Sequence, residues 1–386
     1  MKTMKSKTMG FIAVFFLISC ISAFAGGEQD SSPAADVYTA GSRDIGNRGG
    51  GGDLSYFEAC YWKNSVRIDL HPTVAADSRA SSITVVGTDV YVAGSCDYNA
   101  CYWKNGVKTD LSVPGRRTDL TVPAGTLSRA TSITVVGTDV YIAGHYGEYN
   151  VYGTPSSPRA CYWINGRRTD LSVPAGTSSQ AASIAVVGTD VYIAGHYGEE
   201  YDWYTDSLFP SRACYWKNGV RTDLHPYGTR NSSAASITVV GTDVYVAGDY
   251  TGGVDYDSYY TQACYWKNGV KTDLSVPTSI SYSSATSITV VGMDVYVAGN
   301  YRDGRDNKAC YWKNGRRTDL SVPARASSSY VTSIAVVGTD VYVAGDYVDD
   351  YDNKPCYWIN DRRIDLPAET SIYGGGTHVT GIAVSR

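Results

Sequence analysis

Residues 285–320 read ATSITVVGMDVYVAG-NYRDGRDNK-ACYWKNGRRTDL, and this unit recurs down the chain with little changed outside its middle segment. In the copy at 132–171, Ser132 to Val136 reads as a first strand, Gly137-Thr138-Asp139 as a tight turn, and Val140 to Gly144 as a second strand. A longer connection leads to a third strand at Ala160 to Trp163. A hairpin turn at Asn165-Gly166 and a fourth strand at Arg168 to Leu171 complete the unit. Val, Ile, Tyr and Trp dominate these runs and suit a pleated, half-buried surface. Asn-Gly marks a two-residue hairpin because both positions accept positive φ. Beyond the N-terminal segment no apolar run of helical length repeats at 3.6 residues, so the fold is read as all-β.

The Cys-Tyr-Trp of the third strand occurs seven times, at Cys60, Cys101, Cys161, Cys214, Cys264, Cys310 and Cys356, with spacings of 41, 60, 53, 50, 46 and 46 residues. Four short strands in a repeat of about 40–50 residues are the mark of a β-propeller blade. The ends of the repeat array complete the count. Asp36-Val-Tyr-Thr-Ala-Gly41 matches a second strand with no first strand before it, and Val379 to Ser385 matches a first strand with no second after it. Together they predict a single seven-bladed propeller over 36–386, its ring closed by pairing of the N- and C-terminal strands, which removes a free sheet edge. A direct duplication, 106–114 followed by 115–123, leaves room for only one copy as an outer strand.

The chain has 386 residues, a formal charge of −5, 33 Tyr and 40 Gly. Its only charged residues before position 26 are Lys2, Lys5 and Lys7, so the remainder carries 30 basic against 38 acidic residues. A net acidic chain without a Lys/Arg stripe argues against nucleic acid and against charge-driven docking on anionic membranes. The cationic start followed by an apolar stretch from Phe11 to Ile18, too short to span a bilayer, reads as a secretion signal over 1–25. Leu17-Ile18-Ser19-Cys20 resembles a lipobox with Cys20 as the lipidated residue, and Ala23-Phe24-Ala25 resembles an ordinary signal-peptidase site. Residues 26–35 then serve as a tether. The expected location is the cell envelope, lipid-anchored through Cys20, or the periplasm or exterior.

With these residues in view, the chain resembles bacterial exported β-propeller repeat proteins whose units carry a Tyr-Trp-Lys-Asn-Gly third strand, and the resemblance covers 36–386. It implies fold and export, and it transfers no catalytic residue. The Asp box of sialidases is absent from the sequence, and the pairs that mark WD40 and kelch blades do not recur in every blade.

Candidate chemistry is sparse. Equivalent cysteines on neighbouring blades lie roughly 10 Å apart, beyond disulfide reach, so the seven are expected to be small buried packing residues. Cys96 is the exception: if the turn spans Asp97 to Ala100 it faces Cys101 and can bridge with it in an oxidising compartment. The repeated Asp of the Gly-x-Asp turns is expected to accept backbone N–H bonds, and that of Thr-Asp-Leu to pair with a neighbouring cation or backbone donor. No cofactor or metal motif stands out; the acidic loops Asp255/Asp257 and Asp349/Asp350/Asp352 lack a Ca²⁺-loop pattern. His145 and His196 each head a His-Tyr-Gly-Glu tetrapeptide, which repeat duplication explains.

The position after Val-Tyr-x-Ala-Gly is always polar: Ser42, Ser95, His145, His196, Asp249, Asn300 and Asp346. It is read as the start of the connection from second to third strand, on the face that collects all variation between repeats. Tyr offers contact area and a hydrogen-bonding tip at low entropy cost. Tyr146, Tyr197, Trp203, Asp249, Tyr250, Tyr301 and Tyr347 are therefore the candidate ligand-binding residues, with the tyrosines expected to be exposed. The expected function is a non-enzymatic binding or scaffold protein of the bacterial envelope that recognises a protein or glycan. A carbohydrate-active enzyme and a passive structural module are the alternatives.

Overall fold

Seven Asn residues, from Asn64 to Asn360, sit at φ of 48–51° in the turn between third and outer strands. Each folds its amide back onto the blade. Oδ1 accepts the N–H of the Val that opens the second strand at 2.8–2.9 Å. Nδ2 donates to the Asp at the start of that strand at 2.6–2.8 Å. In five blades a Lys from the third strand pairs with the same Asp at 2.8 Å and holds its pKa below the usual carboxylate range. The turn aspartates are thus structural, but their donors are side-chain amides and ammonium groups rather than backbone N–H. The outer-strand aspartates pair with the cation two residues before them, as in Arg168–Asp170 at 2.9 Å and Arg317–Asp319 at 2.8 Å.

The computed structural model describes residues 35–46, 56–70, 77–111, 126–149, 155–199, 211–253, 259–368 and 376–385. They form seven four-stranded antiparallel sheets, a seven-bladed β-propeller. Blade 1 holds 36–69 plus 377–385, and blades 2 to 7 hold 78–110, 126–170, 177–223, 231–273, 283–319 and 328–365. In blade 1 the chain's last strand, Thr377–Ser385, pairs with its first, Asp36–Gly46, from Val37↔Val384 to Gly41↔Val379. In the duplicated segment, Val107–Asp110 is the outer strand of blade 2. The second copy (115–123), the expected secretion signal with Cys20, and residues 26–34 of the expected tether lie outside the described residues.

Blade-to-blade packing is close and repetitive. Trp62, Trp103, Trp163, Trp216, Trp266, Trp312 and Trp358 are at most 1% exposed, and the seven third-strand cysteines are buried beside them as free thiols. The Gly before the variable polar position is required by a close approach. A Cβ on Gly144 would lie 2.1 Å from the Arg129 carbonyl oxygen and 2.8 Å from the Trp163 ring. That crowding coincides with a bulge: the inner-strand register shifts between Ala130 and Ser132, and at the same place in blades 2 and 4 to 7.

Side-chain oxygens stitch each blade to the next. The N–H of the third-strand Ala reaches an inner-strand Ser of the following blade at six interfaces, for example Ala160 to Ser179 at 2.9 Å and Ala213 to Ser232 at 2.8 Å. Deeper in, Ser82, Ser132, Ser183, Ser236 and Ser287 each accept the N–H of the next blade's inner-strand Ile at 3.2–3.3 Å. Buried backbone donors are thereby satisfied without a continuous sheet.

The strands run longer than the sequence reading. The inner strand of blade 3 is Thr126–Val136 and its second strand is Asp139–Tyr149. The His-Tyr-Gly-Glu segments are therefore strand. Their pairing continues because the inner strand begins well before the Ser-Ile-Thr-Val-Val core, giving Ser128↔Tyr146 and Thr126↔Glu148.

Candidate ligand-binding mouth of the central channel

Each inner strand starts on the face that carries the long connections, and the residue just before its repeated Ala or Val varies from blade to blade. From blade 1 these residues are His378, Arg79, Arg129, Gln180, Ser233, Ser284 and Tyr330. Each lies directly opposite the polar residue of the second strand: Ser42, Ser95, His145, His196, Asp249, Asn300 and Asp346. Directly opposed residues of an antiparallel pair share a face, so these seven pairs ring the channel entrance. Below them lies a space of about 170 Å³ lined by inner-strand residues, among them Ser82, Thr131, Ser132, Ser236, Ser287 and Thr332.

Part of the polar position is explained by packing. Ser42 accepts the N–H of Ala80 at 3.0 Å, Asn300 that of Val331 at 2.9 Å, and Asp346 that of Val379 at 3.0 Å. In blades 3 and 4 an imidazole takes this place. His145 is 9% exposed, and its Nδ1 is buried without a hydrogen-bond partner. Burial, with the nearby charges of Arg129 and His196, pushes its pKa down to about 4, and burial lowers that of His196. Both rings are neutral near pH 7.

The charge around the mouth is uneven. Arg129 is exposed to solvent, and its guanidinium is partly desolvated by its surroundings. That desolvation and the charge of Arg79 both lower its pKa. No carboxylate pairs with Arg129 among the described residues. Arg79 lies 3.6 Å from Asp77 and stacks over Phe57 at 4.1 Å. On the other side, burial raises the Asp249 carboxyl to about 6, against a bond from Ser233 Oγ at 3.1 Å. Asp346 is buried, its pKa also raised, and it meets His378 Nδ1 at 3.5 Å. The His378 pKa is raised in turn by that carboxylate. Blades 2 to 4 thus present cationic and imidazole groups, and blades 5 to 7 carboxyl, amide and phenol.

Of the candidate binding residues, Asp249 lies at this mouth. Tyr146, Tyr197, Tyr250, Tyr301 and Tyr347 do not, and the expectation that they are exposed is overturned: they are 4–7% exposed. Because the second strand continues past the Gly, the pleat sends each Tyr to the opposite face from its polar neighbour, into the preceding blade. Tyr197, for instance, packs with Tyr141, Ala143 and Leu171 of blade 3. An outer-strand cation covers each ring, from Lys271 over Tyr250 at 3.9 Å to Arg363 over Tyr347 at 4.7 Å. Trp203, Asp255 and Asp257 lie outside the described residues. Asp349 is 4% exposed and pairs with Arg325 at 2.7 Å. No group of three or more His, Cys, Asp or Glu among the described residues is placed to hold a metal. Sequence reading missed Arg79, Arg129, Gln180, Tyr330 and His378. Each is the single variable position before the uniform core of its inner strand, a signal without periodicity.

No protein-family model and no curated protein matches the chain. Solved structures similar to it include YjhT, at 8% identity over 77% of this chain and 98% of that one, TM-score 0.43. The β-propeller domain of the Trilobed protease from Pyrococcus furiosus is 10% identical over 85% of this chain and 96% of that one, TM-score 0.44. Extracellular domains 1–2 of Drosophila Semaphorin 1a are 8% identical over 85% and 86%, TM-score 0.41. At such identities and scores these likenesses carry no argument about ligand or activity.

Proposed function

We propose that this propeller is a non-enzymatic binding or scaffold protein of the bacterial cell envelope that recognises a protein or glycan on its loop-bearing face. One observation carries the reading. The blades repeat the same packing and the same stitching bonds, while seven equivalent positions at one channel mouth hold five residue types: His, Arg, Gln, Ser and Tyr. A uniform scaffold with variation gathered at one opening is the usual division between stability and recognition. Export, with Cys20 as the anchor point where the lipobox is used, belongs to the same proposal and rests on the N-terminal sequence.

The second reading, a carbohydrate-active enzyme, is favoured by Asp249, whose carboxyl stands at about 6, in the range of a general acid. Against it, Asp346, the other carboxyl among the seven second-strand positions, is occupied by His378 and the Val379 N–H. A glycan array and a hydrolase substrate panel run on the mature protein, with a crosslinking capture from envelope extract, separate the readings. Saturable binding lost on substitution at the mouth, without turnover, supports the proposal. Turnover abolished by Asp249→Asn replaces it with the enzyme.

A further inference from the structure

The mouth concentrates positive charge on one side: Arg79 is answered by Asp77 at 3.6 Å, while Arg129 has no carboxylate partner among the described residues. Arg79 and Arg129 stand at equivalent register positions on adjacent blades, close enough for the Arg79 charge to act on Arg129. A guanidinium held beside a like charge without its own counter-charge costs free energy, which an anion bound at Arg129 returns. Beside them His145, 9% exposed, keeps a buried Nδ1 with no partner. At the same position in blades 1, 6 and 7 the polar atom is consumed by the next blade's backbone N–H. His145 Nδ1 is therefore a hydrogen-bonding group that the fold does not use.

We infer that Arg79, Arg129, His145 and His196 form a crescent that receives the carboxylate of an acidic glycan, a uronate residue whose hydroxyls face Asp249 and Asn300 on the opposing wall. A guanidinium offers paired donors matched to a carboxylate. Carboxyl and amide groups across the mouth accept from and donate to sugar hydroxyls, and the channel below is walled by Ser and Thr hydroxyls. A glycan is favoured over a protein partner because the channel lining among the described residues is mostly Ser and Thr, not the aromatic and aliphatic pockets on which protein interfaces depend.

This inference rests on the loop-bearing face being the binding face, and the experiment separates the two. Binding of oligogalacturonate and of its fully methyl-esterified form is measured by calorimetry on the full propeller and on Arg129→Gln, Arg79→Gln and, on the opposite face, Asn314→Ala. The melting temperature of each variant is recorded as a check on folding. The expected result is at least tenfold tighter binding of the acid than of the ester, with that preference lost in Arg129→Gln and weakened in Arg79→Gln. Equal binding of acid and ester, with loss only on substitution of Asp249 or Asn300, overturns the uronate crescent and leaves the binding face standing. Binding weakened only by Asn314→Ala overturns both. Binding of neither oligomer, with a protein captured at the same mouth, also overturns the glycan assignment.

Discussion

Pro355 stands opposite Thr377 at the last blade interface, in the places that an alanine and a serine occupy at the other six, and Thr377 Oγ1 is left buried without a hydrogen-bond partner. The six alanines each donate an N–H to the serine hydroxyl; proline has no N–H to give. The pair explains why a proline is tolerated inside a third strand: at this position the N–H serves the neighbouring blade and not the blade's own ladder. It also predicts opposite responses at equivalent sites. Ser179→Ala strands the buried Ala160 N–H and is expected to cost about 1–3 kcal/mol. Thr377→Val removes an unpaired hydroxyl and is expected to be neutral or stabilising. Denaturant midpoints of the two variants test this, and equal losses would refute the stitching account.

Closure by the terminal strand gives a second expectation. A chain ended after Tyr373 lacks the strand that pairs with Asp36–Gly46 through eight registered residue pairs. Blade 1 then exposes an edge and its neighbours lose Val379 and Ile382 from the shared core. The shortened protein should unfold at lower denaturant and less cooperatively than the full chain. Coincident transitions would mean that the ring does not depend on this strand.

The buried tyrosines reverse the expectation first drawn for them. Tyr301→Ala removes a ring that is 7% exposed, packed against blade 5 and covered by Arg317 at 4.3 Å. It should cost about 3 kcal/mol of stability, the scale of deleting a buried aromatic. A loss below about 0.5 kcal/mol would place the ring on the surface after all.

The contrast shows what was legible in the chain. Blade number, strand order and ring closure followed from the repeat, because every blade buries the same Trp and Cys and turns on the same Asn. The strand ends did not, since the Gly after Val-Tyr-x-Ala looks like a stop while its actual role is to admit the carbonyl oxygen of the inner-strand bulge. Once the strand is continued, alternation alone sends Asp249 to the mouth and Tyr250 to the core. Arg79 and Arg129 stayed hidden because a single variable residue before a strand carries no periodicity. Only the closed ring brings seven such residues together.

Asp249 gives the mouth a pH dependence. Its folded-state pKa of about 6 lies above the ordinary 3.8, so the folded protein holds this proton more tightly than the unfolded chain does. Stability contributed by the group therefore falls as pH rises from about 4 to about 6, and the penalty persists above that range. A shift of this size corresponds to about 2–3 kcal/mol. Asp249→Asn should accordingly be more stable than the unsubstituted protein at pH 7.5 and indistinguishable from it near pH 4. A variant equally or less stable at both values would show that the carboxyl is well solvated.

Cys96 holds the position that Tyr146 holds in blade 3, and it changes what blade 2 can do. The hairpin turns at Asp97-Tyr98, so Cys96 pairs with Asn99 and Cys101 with Gly94. The two cysteines are thus diagonal rather than directly opposed, yet their sulfurs lie 3.3 Å apart. The bond from Cys101 lowers the Cys96 pKa, while burial raises that of Cys101. Cys96 is the better thiolate and the attacking sulfur. Exchange with the disulfide of an oxidant protein would leave Cys96 and Cys101 bridged, with both electrons and both protons transferred to the oxidant's two thiols. By chain-entropy arithmetic a loop this short is worth about 2 kcal/mol. Alkylation under denaturing conditions of protein matured outside the cytoplasm should then label six of the eight cysteines of the propeller without reductant and all eight with it. Cys96→Ala should label every remaining cysteine with or without reductant. Eight labelled cysteines before reduction would show that the two thiols stay apart.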